Sequence, residues 1–315
     1  MKRNYLIFIV VAVICLAVFA QADVIIKQKT SIESSAIMNI EINGVEYIKG
    51  DKNYSSSSTN MVGGMMAMMG KKTTSEFIQI TRLDKDVIWD LDPQNKTYSE
   101  SSLASLQQMM AGTGQTPESE NEDETSEYNW TLDVKTSDKD VEINGFKCTG
   151  IIGKATGINK NNPEDKMRLT YEYWYAKDVP GLDELEDYHN KFSKATGFDI
   201  TMPRQHVQKI FNKYGSQFDK MTEKMQGVEG YPIKTVILVE STKGVEGGEG
   251  DYGEEMPPGM KEMLSGLSNK KQSQKSESDM IKVFSLSNEI LSIEKKNVDD
   301  SKFEIPEGYK KKETH

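Results

Sequence analysis

The sequence is short of the residues on which most catalytic and metal sites depend. Its 315 residues include two cysteines and three histidines, which excludes a disulfide framework and any cysteine-built zinc site. His189, His206 and His315 stand in no His-x-Glu or His-Glu-x-x-His pattern, and Gly-x-Ser-x-Gly is absent, so neither a zinc hydrolase nor a nucleophile elbow is indicated. Gly64 and Gly70 lie one residue too far apart for a phosphate-binding loop, and Lys71 is followed by Lys72 where Ser or Thr is needed. Long apolar runs are also scarce. Only Tyr5 to Phe19 could enter a bilayer, and a mean hydropathy of -0.60 excludes a polytopic membrane protein. Positive charge is in deficit, 39 Lys and Arg against 49 Asp and Glu, for a net charge of -10. Nucleic acid is therefore not expected as a partner.

What is present begins with an address. Lys2 and Arg3 precede the apolar run, and Ala20-Gln21-Ala22 follows it in the small-x-small order that signal peptidase reads. Residues 1–22 are read as a signal peptide and Asp23 as the first mature residue, in a chain that is exported, periplasmic or secreted. Ile14 stands where a small residue would have to precede a lipidated cysteine, so lipidation at Cys15 is rejected. An exported protein cannot count on ATP or NAD(P)H, and no cofactor is assigned.

Period-2 alternation of apolar residues dominates the mature chain. Strands are expected at Val24–Ile26, Ile37–Ile48, Phe77–Leu83, Val87–Leu91, Lys96–Ser99, Tyr128–Val134, Val141–Ile152, Leu169–Tyr175, Tyr231–Val239, Met280–Leu286 and Ile290–Glu294. Asn43-Gly44 and Asn144-Gly145 signal hairpins within two of these runs. The pattern describes a mainly β, α+β domain with an antiparallel sheet of about ten strands. Two helices interrupt it. One carries Leu182, Leu185, Tyr188 and Phe192 on a stripe; the other runs from Pro203 to Gln226 with Val207, Ile210, Phe211, Tyr214 and Phe218. Ser102 to Met110 is a weaker third. Segments 55–72, 112–127 and 243–279 are rich in Ser, Gly and charge and are expected as disordered insertions in a single domain, 23–315.

Two surfaces stand out as candidate sites. Trp89, Trp130, Tyr171 and Tyr173 are candidate sheet-side contacts for a hydrophobic guest, with Ile210, Phe211, Tyr214 and Phe218 facing them from the second helix. Sequence alone leaves open whether these side chains line a cavity or fill a core. Met61, Met65, Met66, Met68 and Met69 form an alternative site, since thioether sulfur suits Cu(I); adaptable packing is the simpler reading. Cys148 lacks a compelling base and is read as a small buried residue.

Four motifs resemble a bacterial exported family of unknown function grouped with the LolA-like lipoprotein carriers. They are Ile80-Thr-Arg-Leu-Asp84-Lys-Asp-Val-Ile-Trp89-Asp-Leu-Asp92-Pro-Gln-Asn-Lys96-Thr-Tyr98, Ile143-Asn-Gly-Phe-Lys-Cys148, Glu172-Tyr-Trp-Tyr-Ala-Lys-Asp178-Val-Pro-Gly181 and Phe303-Glu-Ile-Pro-Glu-Gly-Tyr309-Lys. The resemblance implies a LolA-like incomplete antiparallel β-barrel with helices packed in its concave face over an apolar cavity. It brings no functional residues with it. A non-enzymatic, monomeric binding protein for a lipid, acyl chain or lipoprotein segment is the expectation, with an envelope interaction protein of filled core as the alternative.

Overall fold

The computed structural model describes residues 23–34, 39–62, 74–106, 127–137, 139–197, 223, 229–242 and 280–312. Thirteen strands follow the chain: β1 (Val24–Ser34), β2 (Asn39–Lys49), β3 (Lys52–Val62), β4 (Thr74–Arg82), β5 (Val87–Asp92), β6 (Thr97–Ser101), β7 (Tyr128–Thr136), β8 (Val141–Ile143), β9 (Phe146–Asn159), β10 (Lys166–Ala176), β11 (Tyr231–Ser241), β12 (Ile281–Lys295) and β13 (Lys310–Lys311). Helix α1 (Leu182–Thr196) follows β10. All strands belong to one sheet in the order β13-β6-β5-β4-β3-β2-β1-β12-β11-β10-β9-β7, with β8 paired to β9. Two meanders are thus joined by the β1–β12 ladder, and only the β13–β6 pair is parallel. The sheet is open: β7 and β13 stand at opposite ends of the order, so no barrel closes.

Several sequence expectations are corrected. Residues 55–62, expected to begin a disordered insertion, form most of β3, which is paired along its length with β2 and largely with β4. Backbone ladders on both sides hold a strand whose serines contribute no apolar face. The rest of that segment, and the insertions at 112–127 and 243–279 apart from Glu127, lie outside the described residues. Asn43-Gly44 is not a turn; β2 runs straight through it, opposite Lys29 and Gln28 of β1. Gly44 leaves room for the neighbouring Gln28 side chain, whose Cγ would stand 3.1 Å from an added Cβ. The reversal comes later, at Gly50 (φ +56°). Asn144-Gly145 does turn, with both residues at positive φ (51° and 84°), as a two-residue hairpin of this hand requires. The runs Met280–Leu286 and Ile290–Glu294 are one strand, β12, with a bulge opposite Lys27 and Gln28.

Helix α1 follows its predicted stripe: Leu185, Tyr188 and Phe192 are buried among Val24, Ile26, Ile48 and Ile88. Of the third predicted helix, residues 103–106 are helical and begin at Ser102, whose Oγ accepts from the Ser105 N–H at 3.0 Å. The second predicted helix lies outside the described residues except for position 223.

A second core covers the opposite face of the first meander. There the segment after β12 folds back, and Val298 and the fully buried Phe303 pack with Ile80, Trp89 and Leu91.

Candidate functional site

The register assigns each side chain to a face. Tyr171 on β10 stands opposite Ile237 on β11, which stands opposite Leu286 on β12 and then Ile32 on β1. On the other side Tyr171 faces Gly153 of β9, which faces Val134 of β7. Because side chains alternate, the same face receives Trp130, Leu132, Leu169, Tyr173 and Val239. These residues form one cluster with Tyr128, Tyr175 and Phe284. At its edge the Tyr128 hydroxyl donates to the buried Asp165 Oδ2 at 3.0 Å.

The aromatic rings are spaced for contact. Ring centroids lie 6.0 Å apart for Tyr128–Trp130, 6.4 Å for Tyr171–Tyr173 and 6.0 Å for Tyr173–Tyr175. Strand β9 contributes small residues between them: Gly153, Ala155 and Gly157. The Trp130 ring lies flat against Gly157, 3.0 Å from where a Cβ would be. Trp130, Tyr173, Tyr175, Leu132 and Val134 are only partly buried, while Tyr171 is 3% exposed.

The other half of the same face, on β2–β5 beneath α1, sets the polar Glu46, Asn53 and Thr81 among the buried Ile48 and Ile88. It is reached through Val24 and Ile26, which share β1 parity with Ile32 and pack under α1. Glu46 lies between Ile26 and Ser55 in the register, next to the row of Asn53 and Thr81. Its carboxylate Oε1 accepts a hydrogen bond from Asn53 Nδ2. Burial pushes the Glu46 carboxyl above the usual carboxylate range, and the Asn53 bond only partly offsets this. Tyr188 of α1, hydrogen-bonded to Thr81, and Tyr231 of β11 have their phenols pushed upward by burial first and by the Glu46 charge second. His189 stacks on Tyr231 with centroids 6.0 Å apart.

Of the residues expected from sequence, the structure brings Trp130, Tyr171 and Tyr173 together on one face. Trp89 is set apart. Its row runs through Ile80, Tyr54 and Tyr47 to Ile25, which points to the opposite side of β1 from Ile32. There Trp89 packs on Ile80 beneath the C-terminal segment, and its indole donates to Glu100 Oε2 at 2.9 Å. Ile210, Phe211, Tyr214 and Phe218 lie outside the described residues. So do Met65, Met66, Met68 and Met69; Met61 is placed only by its backbone pairing with Ile40. Cys148 is buried, and burial pushes its thiol up. Among the described residues no three His, Cys, Asp or Glu side chains converge where a metal ion could sit. Glu46 was not singled out by sequence reasoning, although its parity held a signal: it follows Ile40, Ile42 and Gly44 and precedes Ile48 on one face of β2.

No family model matches the sequence, and no curated protein matches it significantly. Solved structures similar to the chain include a LolA superfamily protein from Nitrosomonas europaea, 9% identical, with 91% of each chain covered and a TM-score of 0.23. A DUF1329 family protein from Desulfovibrio piger is 9% identical over 93% of this chain and 94% of that one, with a TM-score of 0.18. TM-scores this low carry no argument about shared architecture, and the fold described above rests on strand register.

Proposed function

We propose that the protein is an exported, non-enzymatic carrier or binding protein that holds a lipid, acyl chain or other hydrophobic guest against the helix-bearing face of its sheet. The observation that carries this reading is the apolar cluster around Trp130, Tyr171 and Tyr173, in which Trp130 and Tyr173 are partly exposed. Monomeric soluble proteins rarely leave a contiguous apolar patch open without a use for it. Each buried CH₂ of a guest would contribute about 0.8 kcal/mol.

Titration with N-phenyl-1-naphthylamine, whose fluorescence rises in apolar surroundings, tests the reading. Saturable binding is expected in the wild type. Tyr173→Asp, which plants a charge in the aromatic row at a partly buried position, should weaken it at least about tenfold. Absence of saturable binding, or binding indifferent to Tyr173→Asp, would count against the site.

A further inference from the structure

The two ends of the open sheet are built differently. At one end β6 is covered by β13, a strand of two lysines, and the next residue, Lys312, donates its N–H to the Tyr98 carbonyl at 2.8 Å. A short, cationic edge strand guards a sheet against further pairing. At the other end β7 runs for nine residues, Tyr128–Thr136, with no proline, no glycine and no bulge in its register against β9. Its single lysine, Lys135, is balanced by Asp133. A long, regular edge of this kind is a template for another strand.

The β7–β9 ladder also fixes which backbone groups point outward. Just beyond its ends the Lys160 N–H donates to the Glu127 carbonyl at 2.8 Å and the Ser137 N–H to the Gly150 carbonyl at 2.7 Å, both in the register of the ladder. Odd-numbered positions therefore bond β9, while Leu132, Val134 and Thr136 direct their N–H and C=O groups away from it. Among the described residues no strand meets them. The side chains of Leu132 and Val134 lie on the apolar cluster but are only half-buried, because the sheet ends there. On the opposite face Asp133 and Lys135 are exposed, with their charged groups 2.7 Å apart along the strand.

We propose that the β7 edge pairs with the same edge of a second copy of this chain, antiparallel and two-fold symmetric about Val134, so that one sheet runs through both molecules. The pairing departs from the monomer expected from sequence and is independent of the guest. With Val134 opposite itself, Leu132 faces the second copy's Thr136, and each outward pair exchanges both of its main-chain hydrogen bonds. Asp133 then stands opposite the second copy's Lys135, and Lys135 opposite its Asp133, in the closely spaced pairs where side chains interact most. An axis at Leu132 would instead set Asp133 against Thr131 and Lys135 against Asn129, so charge complementarity selects Val134. The two apolar clusters meet edge to edge across the axis. Such a contact closes on itself and leaves no β7 edge for a third copy.

Analytical ultracentrifugation of the full exported chain tests this. The wild type should show a monomer–dimer equilibrium at about 0.1 mM that weakens with salt. Asp133→Lys and Lys135→Asp each set like charges opposite one another across the axis, and each should weaken self-association at least about tenfold. Mixed in equal amounts, the two variants should restore a dimer, which also shows that both have folded. Val134→Pro removes an outward N–H and spares the β9 ladder, so it should give a monomer with the circular dichroism spectrum of the wild type. A wild type that stays monomeric, a dimer that persists in Val134→Pro, or charge variants that self-associate as well as their mixture would overturn the proposal. Should these variants not fold, cross-linking decides. Val134→Cys faces itself at about 5.5 Å between Cα atoms and should form an intermolecular disulfide with an added oxidant. Leu132→Cys, about 14 Å from its counterpart, should not; equal cross-linking of the two would overturn the proposal.

Discussion

Arg82 shows how single residues tie distant parts of this chain together. Its side chain, 6% exposed, donates to Asp84 at 2.6 and 2.8 Å and to the Phe303 carbonyl at 3.3 Å, and it also bonds Glu304. The Arg82 hydrogen bonds hold Asp84 below the usual carboxylate range. Partial burial of Glu304 works against its ionisation, but bonds from Lys85 and Arg82 outweigh it, so its value also falls. Both carboxyls bind protons less readily folded than unfolded. Their contribution is thus present above the ordinary carboxylate values and lost as pH falls below about 4. Removing the guanidinium with Arg82→Met should cost about 1–3 kcal/mol at neutral pH, because Asp84 and Glu304 stay partly solvated. It should also flatten the fall in urea midpoint between pH 6 and pH 3; an unchanged acid slope would contradict this account. Trp89 and Trp130 mark what residue patterns could and could not reveal. Trp130 alternates with polar neighbours and Trp89 stands between Ile88 and Asp90, and nothing in either segment says which face of the sheet bears the helix. Only the register across β1 separates them.

At the scale of elements, the four sequence motifs correspond to structural joints. The first spans β4 to β6 with their turns, the second is the β8–β9 hairpin, the third runs from β10 into α1, and the fourth packs Phe303 on the sheet. Lys302 reinforces the last joint, its ammonium 3.9 Å from the Tyr54 ring centroid. The motifs record how the fold is held. Alternation and helical periodicity made β5, β7, β10, β11 and α1 legible, because each buries one regular face. Strand β3 was illegible, since a serine run has no apolar period and its order comes from ladders on two sides. The C-terminal segment is the element whose loss should matter most relative to its size. Phe303→Ala empties a fully buried site and should cost about 3–5 kcal/mol, read from the urea midpoint. A loss under about 1 kcal/mol would mean that the segment is not part of the cooperative unit.

For the whole molecule, the sheet divides its work between two faces. One is closed by the chain's own C-terminal segment, with Phe303 and Val298 filling it and ion pairs such as Lys52–Asp300 and Lys311–Glu100 at its rim. The other carries α1 at one end and the aromatic surface at the other, and it is the face on which a guest is proposed. Native mass spectrometry of the protein, purified from its own envelope fraction without detergent, tests this most directly. The account predicts an added mass of lipid size that extracts into organic solvent. A clean apo mass from that same fraction, under conditions that preserve a known lipid carrier's cargo, would contradict it.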